Sequence, residues 1–92
     1  MFRNITQKDR ETVVAMMKEF YHSPAVLHPV PEDHFRQTVD RILAGSPYAD
    51  AFVFEADGQE AGYALLAKTY SNEAGGLVVW VEEVYIRPAF QG

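Results

Sequence analysis

The apolar residues change period near residue 50, and that switch limits the chain to folds that pack helices on a sheet. Before it, Val13, Met16, Met17, Phe20 and Tyr21 recur at helical spacing. Thr6 is placed to cap this helix: its hydroxyl can accept from the amide of Asp9, and Asp9 can reach back, as in a capping box. The spacing predicts a helix over 7–22, broken by Ser23-Pro24. Phe35, Val39, Ile42 and Leu43 form a second stripe. Pro31 suits a first helical turn, Glu32 and Asp33 sit at the positive end of the dipole, and Gly45 suits the C-terminal cap. A second helix is predicted over 31–44. After Ser46-Pro47 the runs are strand-like: 51–55, then 62–70 across the hairpin signal Asp57-Gly58, then 77–86, stopped by Pro88. With Phe2–Ile5 as an opening strand, the order is strand, helix, helix and three antiparallel strands. This is an α+β class domain. A ferredoxin-like arrangement would need a helix where Ser71–Gly76 leaves only a short loop.

A chain of 92 residues has room for one domain. Its 48% apolar and 23% charged residues fit a soluble globular protein and exclude a disordered tail. The absence of cysteine excludes a thiol nucleophile and a disulfide scaffold. The net charge of −5 falls wholly in the second half. Residues 1–49 hold six acids and six bases; residues 50–92 hold seven acids and only Lys68 and Arg87. Without a basic patch, nucleic acid is not an expected partner. The acidic half favours a cationic one, although acids in turns and on solvated strand faces would give the same count. His22, His28 and His34 match no metal-ligand spacing, so no metal is expected. The longest apolar run, Leu77–Val81, is too short for a bilayer, so no membrane partner is expected. Met-Phe-Arg-Asn lacks the apolar core of a secretion signal, and a cytoplasmic location is expected.

The segment Val81-Glu82-Glu83-Val84-Tyr85-Ile86-Arg87-Pro88-Ala89-Phe90-Gln91-Gly92 resembles the fourth strand and following turn of the GNAT superfamily of N-acetyltransferases. Arg3-Asn4-Ile5-Thr6 with Asp9, the paired helices, the Asp57-Gly58 hairpin and Gly62-Tyr63-Ala64 are similar to the preceding elements of that family. The resemblance covers the whole chain and implies the N-terminal part of an acyltransferase domain. It implies acetyl-CoA as co-substrate, with the backbone of Val84, Tyr85 and Ile86 pairing with the pantetheine arm. Gln91 and Gly92 open the loop that would hold the pyrophosphate at a helix start. It further implies transfer of an acetyl group to a small-molecule primary amine. Glu82 and Glu83 are the candidate catalytic acids, since an ammonium must lose a proton before it attacks. Glu82 is the first choice for substrate contact, with Tyr21 as a further substrate contact. In a regular strand the two glutamates would point to opposite faces. The alternative for either is a solvated acid or a partner for Arg87.

The chain ends just after an apolar strand, so it is expected to be an incomplete fragment that is inactive alone. Leu77–Ile86 would then present an open edge and apolar face, through which a homodimer is expected. A non-catalytic, self-associating binding or structural module and a ligand sensor that keeps the scaffold without chemistry are the competing readings.

Overall fold

The computed structural model describes residues 1–24, 26 and 28–91. Strand β1 (Phe2–Asn4) leads through a 3-10 turn (Gln7–Asp9) into helix α1 (Arg10–Tyr21). Helix α2 (Glu32–Leu43) follows, then strands β2 (Ala49–Ala56), β3 (Gln59–Ser71) and β4 (Gly76–Ile86), and a 3-10 turn (Pro88–Phe90). The four strands form one antiparallel sheet in sequence order, with β1 and β4 at its edges. The predicted order of elements is the observed one, and both helix boundaries fall close to the expected residues.

Local chemistry explains the boundaries. The Thr6 amide donates to Asp9 Oδ2 at 2.7 Å, so the reach-back half of the cap forms as expected. Asp9 is buried and also receives both terminal nitrogens of Arg3, at 2.7 and 3.0 Å. The end of α2 is closed by Gly45, with φ of 93°. The Gly45 amide donates to Ile42 and that of Ser46 to Arg41, a Schellman pattern that needs the left-handed residue. Asp57 and Gly58 both take positive φ, 53° and 74°, which gives the two-residue hairpin its twist.

Both helices lie on one face of the sheet. Val13, Val14, Met16 and Met17 of α1 and Phe35 and Val39 of α2 are buried against Ala51, Val53, Tyr63 and Leu65. Leu43 and Ile42 pack around that core rather than within it. Burial of each large side chain stabilises the fold by about 1.5–3 kcal/mol, so the apolar stripes dominate over surface charge. The helices are laced by ion pairs of Arg10 with Asp40, Arg36 with Glu11 and Lys18 with Glu32, each worth about 0–1 kcal/mol when exposed.

β4 presents the open edge and exposed apolar residues expected of it. It is the edge strand of the described residues, and Leu77, Val79, Trp80 and Val81 are each more than half exposed. Within residues 77–81 only Val78 is half-buried. No helix of the described residues is long and apolar enough to cross a membrane.

Candidate functional site

A cavity of about 290 Å³ opens between the ends of both helices and the middle of β4. Its walls are Met17 and Tyr21 of α1, Val30, His34, Phe35 and Thr38 from α2 and its approach, Leu65 of β3, and Glu82 and Glu83.

The two glutamates share this cavity because β4 is bulged. Leu65 pairs with Glu83 while Leu66 pairs with Val81, which leaves Glu82 as the extra residue. A bulge breaks strict alternation and re-aims a side chain. The opposite-face expectation of a regular strand therefore does not hold at this point. Arg87, the alternative partner for these acids, is held instead by Glu19 at 3.0 Å.

Glu83 is gripped from two sides. Tyr21 Oη donates to Glu83 Oε2 at 2.5 Å and Tyr63 Oη to Oε1 at 2.7 Å. Burial, then the hydrogen bond to Glu83 and its charge, push the Tyr21 hydroxyl well above the usual phenol range. Burial, then the Glu83 charge and the hydrogen bond, do the same for Tyr63. Both hydroxyls therefore stay protonated and donate. Tyr21 also stacks on Phe35, with ring centroids 5.0 Å apart. It thus belongs to the cavity wall, and its hydroxyl is directed at Glu83.

Beyond the bulge, β4 offers a backbone edge. The Arg87 amide donates to Ala61, and the Tyr85 carbonyl lies against Gly62. Antiparallel alternation then directs the backbone of Tyr85 into the ladder and that of Val84 and Ile86 to the free edge. The Tyr85 hydroxyl donates to Glu19 at 3.1 Å. Gln91 Nε2 donates to the Ile86 carbonyl at 2.5 Å and so folds back on this edge. Gly92 lies outside the described residues. Among the described residues no group of three or more acidic or histidine side chains could hold a metal ion.

Glu82, Glu83 and Tyr21, singled out in the sequence, come together at this cavity; Tyr63, His34 and Thr38, which also border it or bond to Glu83, were not singled out for it. Tyr63 alternates with Leu65 on β3, a pattern that signalled the buried face but not the partner of its hydroxyl. His34 precedes the buried Phe35, a position on the rim of the α2 stripe.

No family model matches the chain, and no curated protein matches its sequence. Solved structures do match. An integron cassette protein from the mobile metagenome of Cole Harbour salt marsh superposes with a TM-score of 0.86 at 24% identity, over 99% of this chain and 59% of its own. The aminoglycoside acetyltransferase AAC(6')-Iy, in complex with a bisubstrate analogue of CoA and acetylneamine, gives 0.77 at 21% identity, over 99% and 59%. A ribosomal-protein-alanine N-acetyltransferase from Brucella melitensis biovar Abortus gives 0.77 at 12% identity, over 100% and 60%. The chain thus shares its fold with part of each of these structures, and it spans about 59% of the length of the first two.

Proposed function

We propose, from the N-terminal GNAT acetyltransferase fold that the chain adopts, that residues 1–92 supply the acceptor cavity and the co-substrate strand of an acetyl-CoA-dependent N-acetyltransferase acting on a small primary amine. One observation carries this reading. Two carboxylates on a bulge line a cavity, and the strand continues directly into an unpaired backbone edge. An extended amide-bearing arm can pair with such an edge as an added strand does. The edge-facing backbone of Val84 and the Ile86 amide fit that arm, whereas the Ile86 carbonyl is already met by Gln91. Acetyl-CoA would supply a thioester whose carbonyl carbon accepts the amine.

Glu82 is the proton acceptor in this reading. It lies on the bulge, lines the cavity and has no cationic partner among the described residues. It takes the proton of the bound ammonium, directly or through one water, and so frees the lone pair. The C–N bond then forms as the C–S bond breaks, and the second proton that the nitrogen sheds goes to the departing thiolate. The Val84 amide, next to the bulge, is positioned to donate to the carbonyl oxygen as charge develops on it. Met17, Val30, Phe35 and Leu65 give the acceptor an apolar wall. The test is acetyl transfer from acetyl-CoA to a panel of small amines by a full-length protein that carries this segment, with the amide product followed by mass spectrometry. Transfer lost in Glu82→Gln supports the reading, and transfer indifferent to Glu82 and Glu83 together removes it.

A second reading rests on a different observation, the apolar exposure of Leu77, Val79, Trp80, Val81 and Val84 beside the open edge. It makes the 92-residue chain a self-associating module, with homodimerisation through β4.

A further inference from the structure

We propose that Glu83 is the fixed ammonium-anchoring carboxylate of the cavity, and that Tyr63 and Tyr21 are the positioning residues that hold it there. This rests on the amine-transfer reading and divides the work between neighbouring acids: Glu82 moves the proton, and Glu83 holds the charge.

Three observations carry it. First, Glu83 has a donor on each oxygen, from two different elements. Tyr63 rises from β3 beneath it and Tyr21 comes from α1. Tyr63 is fully buried and its hydroxyl reaches only Glu83 among the described residues, so the contact is built into the core. A carboxylate offers about four lone-pair sites, so about two remain for a ligand. Two donors from rigid elements immobilise the group and restrict those remaining sites to the cavity side.

Second, the charge has no internal counter-ion. No Lys or Arg among the described residues lies within salt-bridge distance of Glu83. Arg87, Lys18 and Lys68 are paired elsewhere, with Glu19, Glu32 and Asp50. Tyrosine hydroxyls orient a carboxylate without neutralising it. A half-buried anion held this way is completed by a cation from outside.

Third, the surroundings suit an ammonium on an apolar stem. Tyr21 and Phe35 both line the cavity, packed on each other with ring centroids 5.0 Å apart, next to Met17, Val30 and Leu65. The rings add attraction for a cation, and the aliphatic wall covers its stem.

The experiment titrates n-butylammonium, with 1-butanol as its neutral counterpart, into the ¹⁵N-labelled 92-residue chain and follows the β4 amides. The wild type should bind the ammonium more tightly than the alcohol. Glu83→Gln should weaken ammonium binding about tenfold, one charged contact, and leave the alcohol unaffected. Tyr63→Phe and Tyr21→Phe keep the rings and remove only the hydroxyls. Each should weaken the ammonium several-fold and spare the alcohol, which loss of packing alone would not do. Tyr21 is only partly buried, so Tyr21→Phe carries the same test if Tyr63→Phe does not fold. Equal binding of ammonium and alcohol by the wild type overturns the proposal, as does undiminished ammonium binding in both tyrosine variants. Intact ammonium binding by this chain, with no acetyl transfer by a full-length protein that carries it, would leave this anchor standing and remove the transfer reading instead.

Discussion

The Cα of Gly62 faces the Tyr85 carbonyl so closely that a Cβ there would stand 2.3 Å from the oxygen. The same Cβ would come within 3.1 Å of the Ile86 Cα, so the obstruction is backbone as well as side chain. Gly62 thereby sets how tightly β3 approaches β4 at the stretch whose outer edge we assign to the co-substrate. Gly62→Ala is expected to destabilise the fold by about 2–3 kcal/mol, since the backbone must shift. Urea denaturation measures it, and a loss under half a kcal/mol would contradict the contact.

Glu60 makes the fold pH-sensitive. It lies beside Asp9, and burial, then Asp9, raise it from 4.5 to about 6. Its Oε1 is buried without a partner. A folded-state value above the unfolded one means that stability is present below 4.5 and is lost as pH rises through about 6. Glu60→Gln should remove that loss and stabilise the chain at pH 7 by about 1 kcal/mol after screening. Asp9 works in the opposite sense. Its bond to Arg3, with Thr6, holds it below the usual range, so its contribution is lost only in strong acid. Melting temperature measured from about pH 2 to 8 in wild type and Glu60→Gln separates the two, since the substitution removes the loss near pH 6 and leaves the loss in acid.

In amine acetylation by a full-length protein that carries this segment, Glu82→Gln should lower turnover at pH 7 by about a hundredfold, the scale of general-base assistance. The deficit should shrink as pH approaches the amine's own pKa, where free base is abundant. A pH-independent deficit would mean that Glu82 binds rather than takes the proton.

Acetyl-CoA should bind the 92-residue chain weakly, because Val84 and Ile86 offer an edge for the arm while the phosphates gain no cradle from the described residues. Calorimetry decides, and micromolar affinity would show that the arm alone suffices.

The exposed row Leu77, Val79, Val81 and the open β4 edge should drive association. Light scattering is expected to give twice the 10.4 kDa of one chain. Trp80→Lys with Val81→Lys should shift it toward monomer. A stable wild-type monomer would refute self-association.

The sequence by itself determined the elements and their order. The apolar stripes of Val13–Tyr21 and Phe35–Leu43 are local patterns, and so are the cap at Thr6-Asp9 and the turn at Asp57-Gly58. Each is set by bonds between residues a few positions apart, which periodicity and turn chemistry read directly. Glu82 and Glu83 were legible as a pair, but their arrangement was not. Whether neighbours on a strand share a face depends on a bulge, and the bulge exists only in the register between β3 and β4. The grip of Tyr63 and Tyr21 on Glu83 joins residues 20 and 62 positions apart, and Arg87 is drawn to Glu19 across 68. Such contacts follow from packing helices on a twisted sheet, where distance in space is unrelated to distance along the chain. The tertiary structure alone therefore decided which carboxylate is held, which is free, and which backbone groups face the open edge.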